Sequence, residues 1–135
     1  MADTVLVIDD SQRIVDIVKY FLEREGYVVK TALNPKDGIR VAQQGGVDLI
    51  MLDIMMPEMD GYAVGNALRK DAKTRDIPIV MLTAESIIAH TPKGFFYGLY
   101  GYLSKPFSKD QLLTIVADTL QLTRKDEGKI PPQTP

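Results

Sequence analysis

Residues 48–61 decide the fold, and they read Asp-Leu-Ile-Met-Leu-Asp-Ile-Met-Met-Pro-Glu-Met-Asp-Gly. The apolar run from Leu49 to Leu52 is continuous rather than alternating, which is typical of a parallel strand buried on both faces. Asp53 follows this run directly. In open α/β sheets, ligands bind beyond the carboxyl ends of the strands. The stretch therefore predicts a central strand and makes Asp53 the first candidate functional residue.

Similar apolar runs and helix-period segments alternate along the rest of the chain. The other strand candidates are residues 4–8, 27–32 (an edge strand), 77–82 and 100–103. Helices are predicted after the capping residue Ser11, after Asn34 and Pro35, across residues 60–72, and after the capping residue Ser108. This alternation implies right-handed crossovers and a parallel sheet. We expect an α/β fold, namely a flavodoxin-like, doubly wound, five-stranded parallel sheet with about five helices.

Bulk composition narrows the classes of function. The 135 residues carry a net charge of −2 and no cysteine. A basic surface for direct nucleic-acid binding is not expected, and disulfides and thiolate metal sites are excluded. No apolar run approaches a membrane span, and the first strand leaves no room for a signal peptide, so a cytoplasmic protein without membrane contact is expected. One domain of ordinary size is predicted over residues 1–122, with a polar, proline-rich tail or linker over residues 123–135.

Acidic residues follow two of the predicted central strands. Asp9 and Asp10 come after the first apolar run, and Asp53 comes after the third. If both strands are central and parallel, the three carboxylates converge. Two like charges about 4 Å apart repel by roughly 4 kcal/mol at an effective dielectric near 20, so the site needs positive charge. Hard oxygen ligands suit Mg²⁺, and Lys105 at the end of the fifth run is a second source of positive charge.

Four segments of the chain resemble the receiver domain of two-component response regulators. They are residues 5–11 (VLVIDDS), 48–61, 77–84 (IPIVMLTA) and 101–107 (GYLSKPF), and the resemblance covers residues 3 to about 122. It implies that Asp53 is the phosphoacceptor. It also implies that Asp10 is a direct Mg²⁺ ligand, that Asp9 is a water-mediated one, and that the backbone carbonyl of Met55 completes the protein ligands.

The resemblance assigns further roles around this acid cluster. Thr83 should donate a hydrogen bond to one phosphoryl oxygen, and Lys105 should form an ion pair with another. Tyr102 should be the switch aromatic, which turns inward when Thr83 moves. The peptide bond before Pro106 is expected to be cis. The apolar Met55, two residues after Asp53, occupies a position that tunes the lifetime of the phosphoryl group in this family.

The function implied is phosphorelay signalling. A sensor histidine kinase or a histidine phosphotransfer protein would donate the phosphoryl group, and the domain would catalyse only its own phosphorylation and dephosphorylation. An alternative is a pseudo-receiver, a binding module that works without phosphorylation. A phosphatase with a similar sheet would need an acid at position 55, where Met55 stands.

The stretch 85–100 departs from the family pattern. Pro92 breaks a regular helix, and Gly94 weakens one. Since Thr91 and Pro92 read as an N-cap and a first helical position, a shortened fourth helix is expected over about residues 92–97. Five of the ten aromatic residues lie between Phe95 and Tyr102. Either Phe95 or Phe96 fills the core under the short helix, or the aromatic residues form a contact surface. The resemblance implies that the output surface lies here, so a homodimer or effector contact through residues 92–102 and the last helix is the second expectation.

Overall fold

The computed structural model describes residues 2–57, 59, 61–84 and 99–125, without the side chains of Thr83, Leu99 and Lys125. Strands and helices alternate along these residues. Their bounds are β1 (Thr4–Ile8), α1 (Gln12–Arg24), β2 (Val28–Ala32), α2 (Pro35–Gln43), β3 (Leu49–Asp53), α3 (Gly61–Lys70), β4 (Ile79–Ala84), β5 (Leu99–Lys105) and α4 (Lys109–Lys125).

The five strands form one parallel sheet in the order β2-β1-β3-β4-β5. β1 and β3 are neighbours in the middle, with Val5 paired to Leu49 and Ile8 paired to Leu52. β2 lies at one edge, as the mixed composition of residues 27–32 predicted. The doubly wound, flavodoxin-like fold is confirmed.

Two apolar layers cover the sheet, one on each face. On β1, Leu6 and Ile8 point into one core cluster, whereas Val5 and Val7 point into the other. α1 and α4 pack on the Val5 face, and α2 and α3 pack on the Leu6 face. Because both faces are covered, successive residues of a central strand are all buried, which explains the continuous apolar runs.

Side-chain caps fix where three helices begin. Ser11 Oγ accepts from the Ile14 amide at 3.3 Å, and Asn34 Oδ1 accepts from the Asp37 amide at 2.8 Å. Ser108 Oγ accepts from the Gln111 amide at 3.0 Å. Each cap satisfies an amide that has no partner within its helix. The three predicted caps are confirmed.

Several bounds differ from the expectation by one to two residues, as at β2, α3 and β5. The strand predicted at 77–82 is β4, which begins at Ile79. The Ile77 carbonyl accepts a hydrogen bond from Arg69 Nη2 at 2.7 Å, and the pairing of β4 with β3 begins at Ile79. α4 continues to Lys125, three residues past the predicted domain boundary at 122. The helix predicted over residues 92–97 lies outside the described residues.

Candidate functional site at the carboxyl ends of the strands

Three carboxylates meet where β1 and β3 end. Asp9, Asp10 and Asp53 each place a carboxylate oxygen within 4.8 Å of the others. Asp9 is fully buried and Asp53 is 3% exposed, whereas Asp10 is exposed to solvent. The convergence follows from the fold, because β1 and β3 are adjacent and parallel. The sequence-based prediction of an acid cluster at this edge is confirmed.

Backbone amides orient the two buried acids in the same way. The Ser11 amide donates to Asp9 Oδ1 at 2.9 Å, and the Met55 amide donates to Asp53 Oδ1 at 2.9 Å. In each case the acid accepts from the amide two residues later, as in an Asx-turn. The sequence analysis missed these bonds. Their signal is an aspartate placed where a strand gives way to a loop.

Lys105, the last residue of β5, brings positive charge to the acids. Its Nζ lies 2.8 Å from Asp9 Oδ2 and 3.5 Å from Asp53 Oδ2. The contact with Asp9 is an ion pair without hydrogen-bond alignment. The sequence predicted the lysine at this site but did not predict that Asp9 would be its nearer partner. The peptide bond from Lys105 to Pro106 is cis.

The charges of the site do not balance. Burial raises the pKa of Asp53, and the nearby Asp9 raises it further, while the Met55 amide and the Lys105 ammonium oppose the rise. If all three carboxylates were charged, the cluster together with the Lys105 ammonium would carry two net negative charges. Negative charge is costly at the buried Asp9 and Asp53, where water is excluded. A divalent cation would neutralise it.

A glycine holds the loop after Asp53 close to the site. The Gly61 amide donates to the Ile54 carbonyl at 3.1 Å. A Cβ at position 61 would lie 2.4 Å from Ile54 Cα and 2.8 Å from the Asp53 carbonyl oxygen. Only glycine permits this approach, so Gly61 fixes how α3 begins beside the phosphoacceptor candidate.

The two predicted switch residues lie on β4 and β5. Thr83 pairs in register with Ser104, near the carboxyl end of β4, and its side chain is outside the described part. Tyr102 packs against the core cluster that contains Met81, and its hydroxyl is buried without a hydrogen-bond partner among the described residues. Burial, followed by the neighbouring Tyr62, raises the pKa of Tyr102. The side chain therefore faces inward.

Met55, two residues after Asp53, contacts the site through its backbone and exposes its side chain to solvent. Its amide holds Asp53, and its side chain is 60% exposed, although the flanking Ile54 and Met56 are 1% and 6% exposed. The exposure of this thioether was not predicted from the sequence.

Three features together define a CheY-like receiver domain, which is a class of signalling domain. They are the strand order, the acids at the ends of two adjacent central strands, and the lysine at the end of β5. Comparison with known proteins agrees, because the family model of the response regulator receiver domain matches residues 5–117. The chain belongs to this family.

Individual relatives and solved structures support the assignment. The chain is 43% identical over 119 residues to the DNA-binding dual master transcriptional regulator RpaA of Synechocystis, covering 88% of this chain and 49% of RpaA. It is 36% identical over 124 residues to the transcriptional regulatory protein SrrA of Staphylococcus aureus, covering 92% of this chain and 50% of SrrA. The chain thus spans about half the length of these curated relatives.

The chemotaxis response regulator CheY4 of Vibrio cholerae has a similar structure. It superposes with a TM-score of 0.81 at 32% identity, over 88% of this chain and 99% of CheY4.

Among the described helices, none has the length and apolar character needed to cross a bilayer.

Proposed function

We propose that this chain accepts a phosphoryl group on Asp53 from a sensor histidine kinase or a histidine phosphotransfer protein, in a Mg²⁺-dependent reaction. The observation that carries the proposal is the cluster of Asp53, Asp9 and Asp10 with the Lys105 ammonium 3.5 Å from Asp53 Oδ2. Receiver domains are signalling domains that interact with such donors and bind Mg²⁺ at an acidic pocket.

The donor set fits a hard divalent cation. Mg²⁺ prefers carboxylate and carbonyl oxygens and retains several waters, and a cluster with two net negative charges suits its charge. We assign Asp10 and Asp53 as direct ligands, Asp9 as a water-mediated ligand and the Met55 carbonyl as the remaining protein ligand. When bound, the cation supplies charge neutralisation for the transferred group.

Asp53 is the nucleophile in the proposed transfer. One of its carboxylate oxygens forms a bond to phosphorus as the bond from phosphorus to the donor imidazole nitrogen breaks, and the imidazole leaves with the electron pair. The Met55 amide fixes the rotation of the carboxylate, and Lys105 neutralises charge on the phosphoryl oxygens. The chain catalyses only this reaction and the later hydrolysis of its own acyl phosphate.

The proposed readout passes through Thr83 and Tyr102. A phosphoryl group adds hydrogen-bond acceptors, and Thr83 bonds one of them. Movement of Thr83 changes the space available to Tyr102, which couples the site to a surface formed by residues 92–102 and the last helix. We propose that this surface binds a partner or a second copy of the chain.

The remaining proposals concern the larger organisation. We propose that the receiver domain expected over residues 1–122 extends to the end of α4 at Lys125, and that the rest of the segment 123–135 is a tail or linker, in a cytoplasmic protein. RpaA is named a DNA-binding regulator. We propose that the receiver domain itself makes no nucleic-acid contact, because the net charge of the chain is −2.

Treatment with acetyl phosphate tests the proposed phosphorylation. With Mg²⁺, intact-mass spectrometry should show one added phosphoryl group, and chelation of Mg²⁺ with EDTA should abolish it. Asp53→Asn should not be labelled, whereas Asp16→Asn, which changes an exposed α1 aspartate that accepts a bond from Gln12, should be labelled normally. Undiminished labelling of Asp53→Asn would overturn the assignment. Asp10→Ala should fold but lose Mg²⁺ binding in calorimetry.

A further inference from the structure

The methionines that the structure describes fall into two groups by exposure. Five of the six lie in the described residues. Met51 and Met81 are fully buried and Met56 is 6% exposed, whereas Met55 is 60% exposed and Met59 is 38% exposed. Both exposed thioethers belong to the loop between β3 and α3, which carries the chain away from Asp53.

The backbone of Met55 contacts the acid cluster although its side chain is exposed. Its amide donates to Asp53 Oδ1 at 2.9 Å, and both neighbouring side chains are buried. The backbone of Met55 is therefore held beside Asp53, while its thioether is open to solvent. Met59 instead lines a groove with Pro35 and Ile39 of α2.

Exposed thioethers react with hydroperoxides. The sulfur lone pair attacks one peroxide oxygen, a sulfur–oxygen bond forms and the oxygen–oxygen bond breaks. With hydrogen peroxide the products are methionine sulfoxide and water, so sulfur is oxidised by two electrons and the peroxide is reduced. Sulfoxide reductases reverse the change. Since susceptibility follows exposure, Met55 should react first and the three buried methionines last.

We propose that Met55 is a hydroperoxide modification site and that its sulfoxide shortens the life of the phosphoryl group on Asp53. This inference rests on the proposed function. A thioether is a weak hydrogen-bond acceptor, whereas a sulfoxide is polar. An oxygen on this side chain can accept a bond from water and orient it toward phosphorus. Oxidation of the Met55 thioether would thereby weaken the signal without changing any of the proposed ligand atoms, since Met55 ligates through its backbone carbonyl.

Two measurements test the proposal. Peptide mass mapping after hydrogen peroxide treatment should show one added oxygen at Met55 before Met59, and both before Met51. Decay of the acetyl-phosphate-labelled protein should then accelerate by about threefold or more, below the roughly 100-fold of a general base because the sulfoxide only orients water. Met55→Gln should reproduce the faster decay without peroxide.

Leucine variants supply the matched controls. Met55→Leu should make the decay rate insensitive to peroxide, whereas Met59→Leu should leave the peroxide effect intact. The proposal is overturned if Met55 resists oxidation, or if decay is unchanged in fully oxidised protein, or if Met55→Leu still responds. Absence of any phosphoryl label would instead refute the proposed function, and the mapping of Met55 oxidation would still stand.

Discussion

Replacing Lys105 with methionine should destabilise the metal-free domain and make its stability depend on Mg²⁺. The variant keeps most of the side-chain stem but removes the ammonium that lies 2.8 Å from Asp9 Oδ2. At an effective dielectric near 20, this pair is worth about 6 kcal/mol of Coulomb energy before desolvation is counted. Removing one member of a buried pair costs about 3–5 kcal/mol. Because the Lys105 side chain is 24% exposed, we expect a loss of about 2–3 kcal/mol.

Urea unfolding in EDTA and in saturating Mg²⁺ measures the effect. The deficit should appear in EDTA and shrink in Mg²⁺, since a cation then takes over the neutralisation of Asp9. The variant should also bind Mg²⁺ more tightly in calorimetry, because the metal no longer competes with the ammonium. Arg40→Met is the matched control, since its pair with Asp37 is exposed and should be worth less than about 1 kcal/mol. Wild-type stability of Lys105→Met in EDTA would refute the reasoning.

Three further predictions concern the same framework. Burial raises the pKa of the Asp53 carboxyl group, so the folded state binds its proton more tightly than the unfolded state does, and the domain loses stability as the pH rises through the carboxyl range. Asp53→Asn should therefore stabilise the metal-free domain at pH 7 but not at pH 2, as measured by urea unfolding at each pH. Gly61→Ala, whose Cβ would lie 2.4 Å from Ile54 Cα, should cost about 1–3 kcal/mol and weaken Mg²⁺ binding in calorimetry; unchanged values for both would contradict the role given to this glycine. Arg69→Met removes hydrogen bonds to the carbonyls of residues 74, 75 and 77 and should lower the free energy of unfolding by about 1.5–3 kcal/mol. Amide hydrogen exchange in residues 74–77 should be faster in this variant than in the control Lys70→Met.

The sequence predicted the sheet well because burial leaves a direct trace in residue types. β1 and β3 are covered on both faces, so their residues are uniformly apolar, and the aspartates that interrupt this pattern mark the strand ends. Ser11 and Asn34 mark helix starts for an equally local reason, since each satisfies an amide within three residues. The edge of the sheet that carries the acids follows from these elements alone.

Other features depend on contacts between distant residues and left no local trace. The Ile77 carbonyl bonds the Arg69 side chain and lies outside β4, although residues 77–82 read as one strand. Lys105 lies nearer to Asp9 than to Asp53, which is decided by side-chain conformation at the ends of three different strands. The exposure of Met55 between two buried neighbours likewise depends on how the loop after β3 turns.

Chemical trapping of the acyl phosphate tests the central claim most directly. Borohydride reduces an aspartyl phosphate to homoserine, so the modified residue is identified by peptide mass spectrometry after labelling with acetyl phosphate and Mg²⁺. Homoserine is expected at position 53, with Asp9 and Asp10 left as aspartate. Homoserine at another position, or none in protein that binds Mg²⁺, would contradict the assignment of Asp53 as the phosphoacceptor.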